Sequence, residues 1–323
     1  MRKPLAGGRA RADTDPMGFD PFPEGVRRAV HGWYADAGDR WLAGVPDTVD
    51  RLMRAWELRR TGAPFEGGSH SYVLPVERSD GMPAVLKVTY RDAENLAEPT
   101  ALRDYSGEGA VRLYEYDPAT GAMLLERAEP GTSLLEHEFP GLDERAAARE
   151  RIAIACDLYR RLWHEPVPAG EYPVCPKAAD MLAAWEARYV DPAARLLDRL
   201  GRRWVERAAG WCRELRDSPA EGVANRDTHL GNIVAGRREP WLLIDPKPYV
   251  AERAFDGGFF AFKQALHGPL GGGEVVRAVA EGLGVEVERV GMWAALRGID
   301  FACESVGKDE GEAVLGAVES VVE

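Results

Sequence analysis

The first 130 residues contain short apolar runs separated by turn-forming residues. Residues 71–76, 84–89 and 123–126 have the length and composition of buried strands. Residues 56–60 are also strand-like in composition. The pattern predicts a small β-rich N-terminal lobe over residues 21–128.

Beyond residue 128 the apolar positions recur at helical spacing. Residues 143–164 show this spacing most clearly, with Ile152, Leu158 and Leu162 on one face. Further helical patterns cover residues 181–188, 191–200, 202–215, 259–266, 273–283 and 287–302. We therefore expect an α+β, two-lobed fold with a larger helical lobe over residues 129–323. Residues 1–20, rich in Gly, Pro, Arg and Asp, are expected to be flexible.

One segment departs from the helical pattern and carries candidate chemistry. Two short apolar runs, residues 233–234 and 241–244, flank a polar turn and predict a β-hairpin. Asp227 and Asn232 precede the hairpin, and Asp245 follows it. Protein kinases use this spacing: the first Asp receives the proton of the substrate hydroxyl, while the Asn and the later Asp hold Mg²⁺. Each residue alone is more typical of a turn or a helix cap, but the combination with a hairpin favours a phosphoryl-transfer site.

A nucleotide-binding segment is predicted in the N-terminal lobe. Gly67 and Gly68 lie in a loop between two predicted strands, where glycines allow the backbone to approach phosphates. An ordinary hairpin turn would have the same composition. The next strand carries Lys87 between two apolar residues, so its ammonium needs an anionic partner. A nucleotide phosphate would supply one.

The longest match to a known pattern is EPWLLIDPKP at residues 239–248, which fits at every position except Leu243 and is followed by Phe255 and Asp256. Together with Asp227, His229 and Asn232, this segment resembles the sequences of the aminoglycoside phosphotransferase family, in its streptomycin 6-kinase and hydroxyurea phosphotransferase branch. The resemblance extends over about residues 40–260 through further short matches at residues 41–46, 56–58, 84–87 and 123–127.

Three residues depart from the family pattern. Asn225 and Arg226 stand where the family usually has His and a small or aromatic residue, and Thr228 replaces the usual Leu. The family His holds the catalytic loop to the metal-binding turn, and an Asn amide can replace part of that bonding. Activity is therefore expected, with Thr228 able to alter which substrate fits.

The resemblance implies further roles in binding ATP, Mg²⁺ and the acceptor. Lys87 would pair with Glu98, with Glu94 as the alternative, and backbone groups of Glu126 and Ala128 would bind adenine. Three carboxylates on the acceptor side would meet ammonium or guanidinium groups of an aminoglycoside: Asp256, Asp300 and Glu304. For Asp300 and Glu304, an ordinary solvated helix face is the competing interpretation.

Charge, hydrophobicity and cysteine content limit the binding partners and the cellular location that we expect. The formal charge of −12 argues against nucleic acid, and no stretch has the length and apolarity of a membrane span. The four cysteines have no metal-ligand spacing, which is typical of a reducing cytoplasm. We expect a cytoplasmic monomer or weak dimer.

The expected function is an ATP-dependent phosphotransferase acting on a hydroxyl of a small cationic antibiotic, such as streptomycin. Two alternatives remain. One is a kinase for another antibiotic or a biosynthetic intermediate, which has the same chemistry and a different acceptor. The other is a nucleotide-binding pseudokinase, suggested by Asn225 in place of His, although retention of Lys87, Asp227, Asn232 and Asp245 argues against it.

Overall fold

The N-terminal lobe is built on an antiparallel five-stranded sheet. The computed structural model describes residues 22–66, 70–168, 170–191, 201–304 and 308–322. The sheet has the order β1-β2-β3-β5-β4. Its strands are β1 (Arg59–Arg60), β2 (Ser71–Glu77), β3 (Pro83–Thr89), β4 (Leu113–Asp117) and β5 (Ala122–Glu126). The strands predicted over residues 71–76, 84–89 and 123–126 are therefore present, and β4 joins them at the edge.

A long helix, α1 (Glu24–Ala55), covers one face of this sheet. It is interrupted at Ala35, whose φ is 46°. Its apolar side chains pack with Leu74, Leu86 and Leu124 into a separate core. Because side chains alternate across a strand, Lys87 points away from α1 toward the opposite face, where α2 (Glu98–Tyr105) lies.

The prediction of a strand over residues 56–60 is wrong for its first half. Trp56 ends α1, and Glu57 has a φ of 52°, so the chain reverses before the strand begins at Arg59. The apolar residues of this segment pack against the α1 core, and this packing explains their strand-like composition.

Among its described residues, the C-terminal lobe is mainly helical and contains two small antiparallel ribbons. Its helices are α3 (Glu144–Leu162), α4 (Ala178–Val190), α5 (Arg202–Arg216), α6 (Ala254–His267), α7 (Gly272–Leu283), α8 (Val287–Glu304) and α9 (Lys308–Val322). The ribbons are β6 (Gly222–Asn225) with β9 (Pro248–Ala251), and β7 (Ile233–Ala235) with β8 (Trp241–Leu243). The flexible segment expected over residues 1–20 and most of the helix expected over residues 191–200 lie outside the described residues.

Close packing of α6 against α8 forms the centre of the main core. A Cβ atom added at Gly258 would lie 2.1 Å from Cβ of Trp293, so only glycine permits this approach. The helix pair carries Asp256, Lys263 and Asp300 toward the ribbons. Within the described ranges, no helix combines the length and the apolarity that crossing a membrane requires.

Candidate active site

The two ribbons place the candidate catalytic residues at one edge. The loop from Arg226 to Asn232 joins β6 to β7, and the turn containing Asp245 joins β8 to β9. The backbone N–H of Arg226 donates to the carbonyl of Lys247 at 2.8 Å, and that of Ile244 donates to Asn232 at 2.9 Å. Loop and turn are therefore held side by side, as the predicted hairpin requires.

Asp227 lies within a cluster of polar and cationic side chains. Its Oδ1 accepts from Nζ of Lys263 at 2.9 Å. Its Oδ2 accepts from the amide of Asn232 at 3.4 Å and lies 3.7 Å from Nζ of Lys247. Nε2 of His229 is 3.8 Å from the same oxygen. The carboxylate is thus oriented from both sides within the cleft.

Asn225 ties the candidate catalytic loop to the turn that contains Asp245. Its Oδ1 accepts from the backbone N–H of Asp227 at 3.2 Å and from that of Lys247 at 2.8 Å. This is the bonding expected of an Asn amide in place of the family His. Its Nδ2 is buried and has no partner among the described residues. The substitution therefore keeps the loop connected but leaves one donor unsatisfied.

Lys87 links the N-terminal lobe to the turn that contains Asp245. Its Nζ donates to Oε1 of Glu98 at 2.6 Å and to Oδ1 of Asp245 at 2.8 Å. The structure thus selects Glu98 over Glu94 as the helix partner. Asp245 adopts a left-handed conformation with φ 52°, an uncommon one for a residue with a Cβ atom and one that is enriched at functional sites.

Electrostatic interactions keep Lys87, Asp227 and Asp245 charged. Burial would lower the pKa of Lys87, but contact with Asp245 and Glu98 outweighs it and raises that pKa above its usual value. Burial would raise the pKa of Asp227, but Lys263, Lys247 and His229 hold it well below the usual range. The pKa of Asp245 is likewise lowered, because Lys87 outweighs the effect of burial. Both aspartates are therefore anionic at neutral pH.

The donor set fits Mg²⁺ bound with a nucleotide. Asn232 donates through its amide nitrogen to Asp227, which leaves its amide oxygen as the candidate ligand. Asp245 adds a carboxylate whose side chain is 43% exposed. No group of three or more His, Cys, Asp or Glu side chains suited to a metal occurs among the described residues. Mg²⁺ needs only one or two protein oxygens when phosphates and water complete its shell.

Glu126 and Ala128, the two residues expected to bind adenine, differ in which backbone groups are free to bind a base. The backbone N–H of Glu126 donates to the carbonyl of Arg112 at 2.8 Å, so only its carbonyl remains for a base. Its carboxylate accepts from Arg238 at 2.8 Å. Ala128 has no hydrogen bond with another described residue and is the second residue after the end of β5. Gly67 and Gly68 lie outside the described residues.

Asp256 was expected to contact the acceptor, and its burial contradicts this. It is 2% exposed, and its carboxylate accepts from the backbone N–H of Asn225 and, at 2.7 Å, from Nε1 of Trp163. Thr228 donates to its carbonyl at 3.3 Å. Asp256 therefore anchors the catalytic loop from beneath, and Thr228, expected near the reaction centre, is fully buried with it.

Asp300 is also unavailable to a cationic acceptor. It is 1% exposed, and its carboxylate accepts from Arg188 at 2.6 Å and from Arg297 at 3.0 Å. These arginines already supply the positive charge that a guanidinium group would bring. The expectation of direct contact with substrate is therefore wrong for Asp300, and the side chain of Glu304 lies outside the described part of the chain.

The ionic contacts of three charged residues around Asp227 were not predicted from the sequence. Lys263 lies on α6, 36 positions after Asp227 in the sequence. Arg226 and Lys247 bind Glu94, the rejected partner of Lys87. A lysine within the apolar run of α6 was the available signal, since a buried ammonium requires an anionic partner.

Comparison with known proteins supports the geometric resemblance. Residues 55–307 match the family model described as aminoglycoside/hydroxyurea antibiotic resistance kinase. A hydroxyurea phosphotransferase of Kitasatospora aureofaciens is 38% identical over 220 residues, which span 68% of this chain and 62% of that protein. A streptomycin 6-kinase of Streptomyces glaucescens is 35% identical over 235 residues, 73% of this chain and 72% of that one.

Solved structures share the fold at low sequence identity. An aminoglycoside phosphotransferase, APH(4)-Ia, in a ternary complex with AMP-PNP and hygromycin B, has a TM-score of 0.57 at 13% identity, covering 85% of this chain and 97% of that one. An amicoumacin kinase with AMP-PNP and Ca²⁺ has a TM-score of 0.56 at 14% identity, covering 88% and 95%. The predicted two-lobed, kinase-like fold is confirmed. The chain belongs to the aminoglycoside/hydroxyurea antibiotic resistance kinase family.

Proposed function

We propose that this protein transfers the terminal phosphoryl group of ATP to a hydroxyl group of a small antibiotic, with an aminoglycoside such as streptomycin as the first candidate. The observation that carries the proposal is the juxtaposition of Asp227, Asn232 and Asp245 at one edge, with Lys87 bonded to Asp245 across the cleft. A bound Mg²⁺ would neutralise charge that develops on the phosphates.

The chain's own residues would perform the positioning. Asp227 would accept a hydrogen bond from the acceptor hydroxyl and take its proton, because its anionic carboxylate is held in place beside Asn232. Lys87 would give up its contact with Asp245 and bind the nucleotide phosphates, while it keeps its contact with Glu98. The carbonyl of Glu126 and the N–H of Ala128 would bind adenine. Phosphoryl transfer depends mainly on such alignment and on charge neutralisation.

The bonding of Asn225 argues for an active kinase over a pseudokinase. A pseudokinase, which does not catalyse phosphoryl transfer, has no requirement to hold the Asp227 loop against the Asp245 turn. Here the Asn225 amide oxygen bonds both the loop and the turn. The loop geometry on which transfer depends is therefore maintained without the family His.

Hydroxyurea is a second candidate acceptor. Lys263 and Lys247 surround Asp227, and Asp256 and Asp300 are occupied by groups of the protein itself. An uncharged hydroxyl compound needs no free carboxylate here, whereas a cationic aminoglycoside needs carboxylates from elsewhere in the cleft. The relative named hydroxyurea phosphotransferase supports testing it.

The proposal is tested by incubating the purified protein with ATP, Mg²⁺ and single acceptors. Streptomycin, hygromycin B and hydroxyurea are compared by mass spectrometry, with ATP hydrolysis followed in parallel. A gain of one phosphoryl group on streptomycin is expected. Transfer to hydroxyurea alone would select the second acceptor, and ATP consumption with no modified acceptor would contradict both.

A further inference from the structure

Glu94 binds two cations of the opposite lobe. It lies in the loop between β3 and α2, on the nucleotide side of the cleft. Its Oε1 accepts from Arg226, and its Oε2 accepts from Nζ of Lys247 at 3.4 Å. The side chains of Arg226 and Lys247 are 15% and 16% exposed, so both cations are largely withdrawn from water. Contact with them lowers the pKa of Glu94 against the effect of burial.

On the N-terminal side, the loop that carries Glu94 is fixed in place. Oδ1 of Asp92 accepts from the backbone N–H groups of Glu94 and Asn95, each at 2.9 Å. Oδ2 of Asp92 accepts from the hydroxyl of Tyr34 on α1, which also lies 2.8 Å from Nδ1 of His70. Glu94 is therefore presented by a connected network and not by a loose side chain.

On the C-terminal side, both cations lie beside the reacting residues. Nζ of Lys247 is 3.7 Å from Oδ2 of Asp227, and Arg226 immediately precedes Asp227 in the sequence. The guanidinium of Arg226 also lies 3.8 Å from the buried carboxylate of Asp300. A change at Glu94 would therefore be felt at the carboxylate that faces the acceptor.

We propose that Glu94, Arg226 and Lys247 form an inter-lobe clasp that positions Asp227 against the nucleotide-binding lobe. The role rests on the proposed kinase function, and it makes Glu94 and Arg226 positioning residues. Without Glu94, Lys247 keeps only Asp227 as its carboxylate partner among the contacts described, and Arg226 loses its tie to the other lobe. The unusual Arg at position 226 thereby acquires a physical role.

A double-mutant cycle tests the clasp. Glu94→Gln and Arg226→Gln are each expected to lower kcat about tenfold, while the affinity for ATP, measured by calorimetry, is unchanged. Since both changes break the same Glu94–Arg226 contact, the double variant should lose little more activity than the less active single variant. Losses that multiply to about a hundredfold would overturn the proposal, because they would show independent roles.

A second measurement is independent of activity. In nucleotide-free protein, Glu94→Gln should increase amide hydrogen exchange severalfold both in residues 91–97 and in residues 226–232, across the cleft. The matched control is Glu77→Gln, which removes an ion pair with Arg59 at 2.8 Å inside the N-terminal sheet and should change neither segment. Unchanged exchange in residues 226–232 of Glu94→Gln would overturn the clasp. If the exchange pattern is found but no acceptor is phosphorylated, the proposed function fails and the clasp stands.

Discussion

Nζ of Lys263 lies 2.9 Å from Oδ1 of Asp227, so helix α6 supplies a cation to the proposed catalytic carboxylate. The contact has two consequences. It fixes the orientation of Asp227, and it stabilises the charged form of that carboxylate. At neutral pH, Asp227 is thus in the anionic form that can accept a hydrogen bond from a hydroxyl group.

Replacing Lys263 should shift the acidic limb of the pH–rate profile. The pKa of Asp227 is depressed in the folded protein, so activity that requires its ionised form is lost only as pH falls through that low value. In Lys263→Met the pKa should return toward about 3.9, and the acidic limb of kcat/KM should move up by about one pH unit. Lys263→Arg keeps the charge and should restore the limb. An unmoved limb in Lys263→Met would show that the ion pair does not tune Asp227.

Asp256→Asn should destabilise the fold and disorder the catalytic loop. An amide can accept from only one of the two donors, Asn225 N–H and Trp163 Nε1, and turns its own N–H groups toward the other. We expect a loss of about 2 kcal/mol in the free energy of unfolding, together with lower kcat. Denaturant titration at pH 5 provides the measurement, and an unchanged midpoint would contradict the anchoring role.

The same residue predicts a pH dependence. Burial raises the pKa of Asp256 to about 7, against the two hydrogen bonds that favour the anion. Because the folded pKa exceeds the unfolded value of about 3.9, the folded state retains a proton that the unfolded state releases. This contribution is fully present below about pH 4 and is lost as pH rises through about 7. The stability advantage of wild type over Asp256→Asn should therefore shrink from pH 4 to pH 8. A constant difference would show that the pKa of Asp256 is not raised in the folded protein.

Asn225→His and Asn225→Ala should have different effects. His can keep one of the two bonds that the Asn225 amide makes and removes the unsatisfied Nδ2, so turnover should change by no more than the equivalent of about 1–2 kcal/mol. Because Arg226 is bulky, the pair Asn225→His with Arg226→Gly separates ring crowding from bonding. Ala leaves both backbone N–H groups unpaired and should reduce turnover far more. Equal activity in Asn225→Ala would remove Asn225 from the scaffold.

The close packing of α6 on α8 predicts a contrast between two glycines. Gly258→Ala would place a Cβ 2.1 Å from Cβ of Trp293 and should cost about 3 kcal/mol or more of stability. Gly210→Ala lies in α5 with no atom within 4 Å of the new Cβ and should stabilise by about 0.5–1 kcal/mol. Thermal unfolding of both variants distinguishes a packing effect from a general response to Ala.

Sequence patterns predicted the parts of the site that depend on local spacing. The loop from Asp227 to Asn232, the hairpin and the turn at Asp245 are close in sequence, and the β-strand period places Lys87 on the cleft face. The roles of Asp256 and Asp300 could not be predicted, because a buried anchor and an exposed ligand look alike until their tertiary partners are known. Trp163 and Arg188 become partners only through helix packing. The contact of Lys263 with Asp227 depends on the same packing.

In the proposed reaction, Asp227 acts on the acceptor hydroxyl while Asp245 binds the metal and nucleotide. Asp227→Asn and Asp245→Asn should therefore separate turnover from Mg·ATP affinity. With the best acceptor from the panel, Asp227→Asn should lose on the order of 10² to 10⁴ in kcat and retain Mg·ATP affinity by calorimetry. Asp245→Asn should lose both. Near-normal turnover in Asp227→Asn, or unchanged Mg·ATP affinity in Asp245→Asn, would contradict the account.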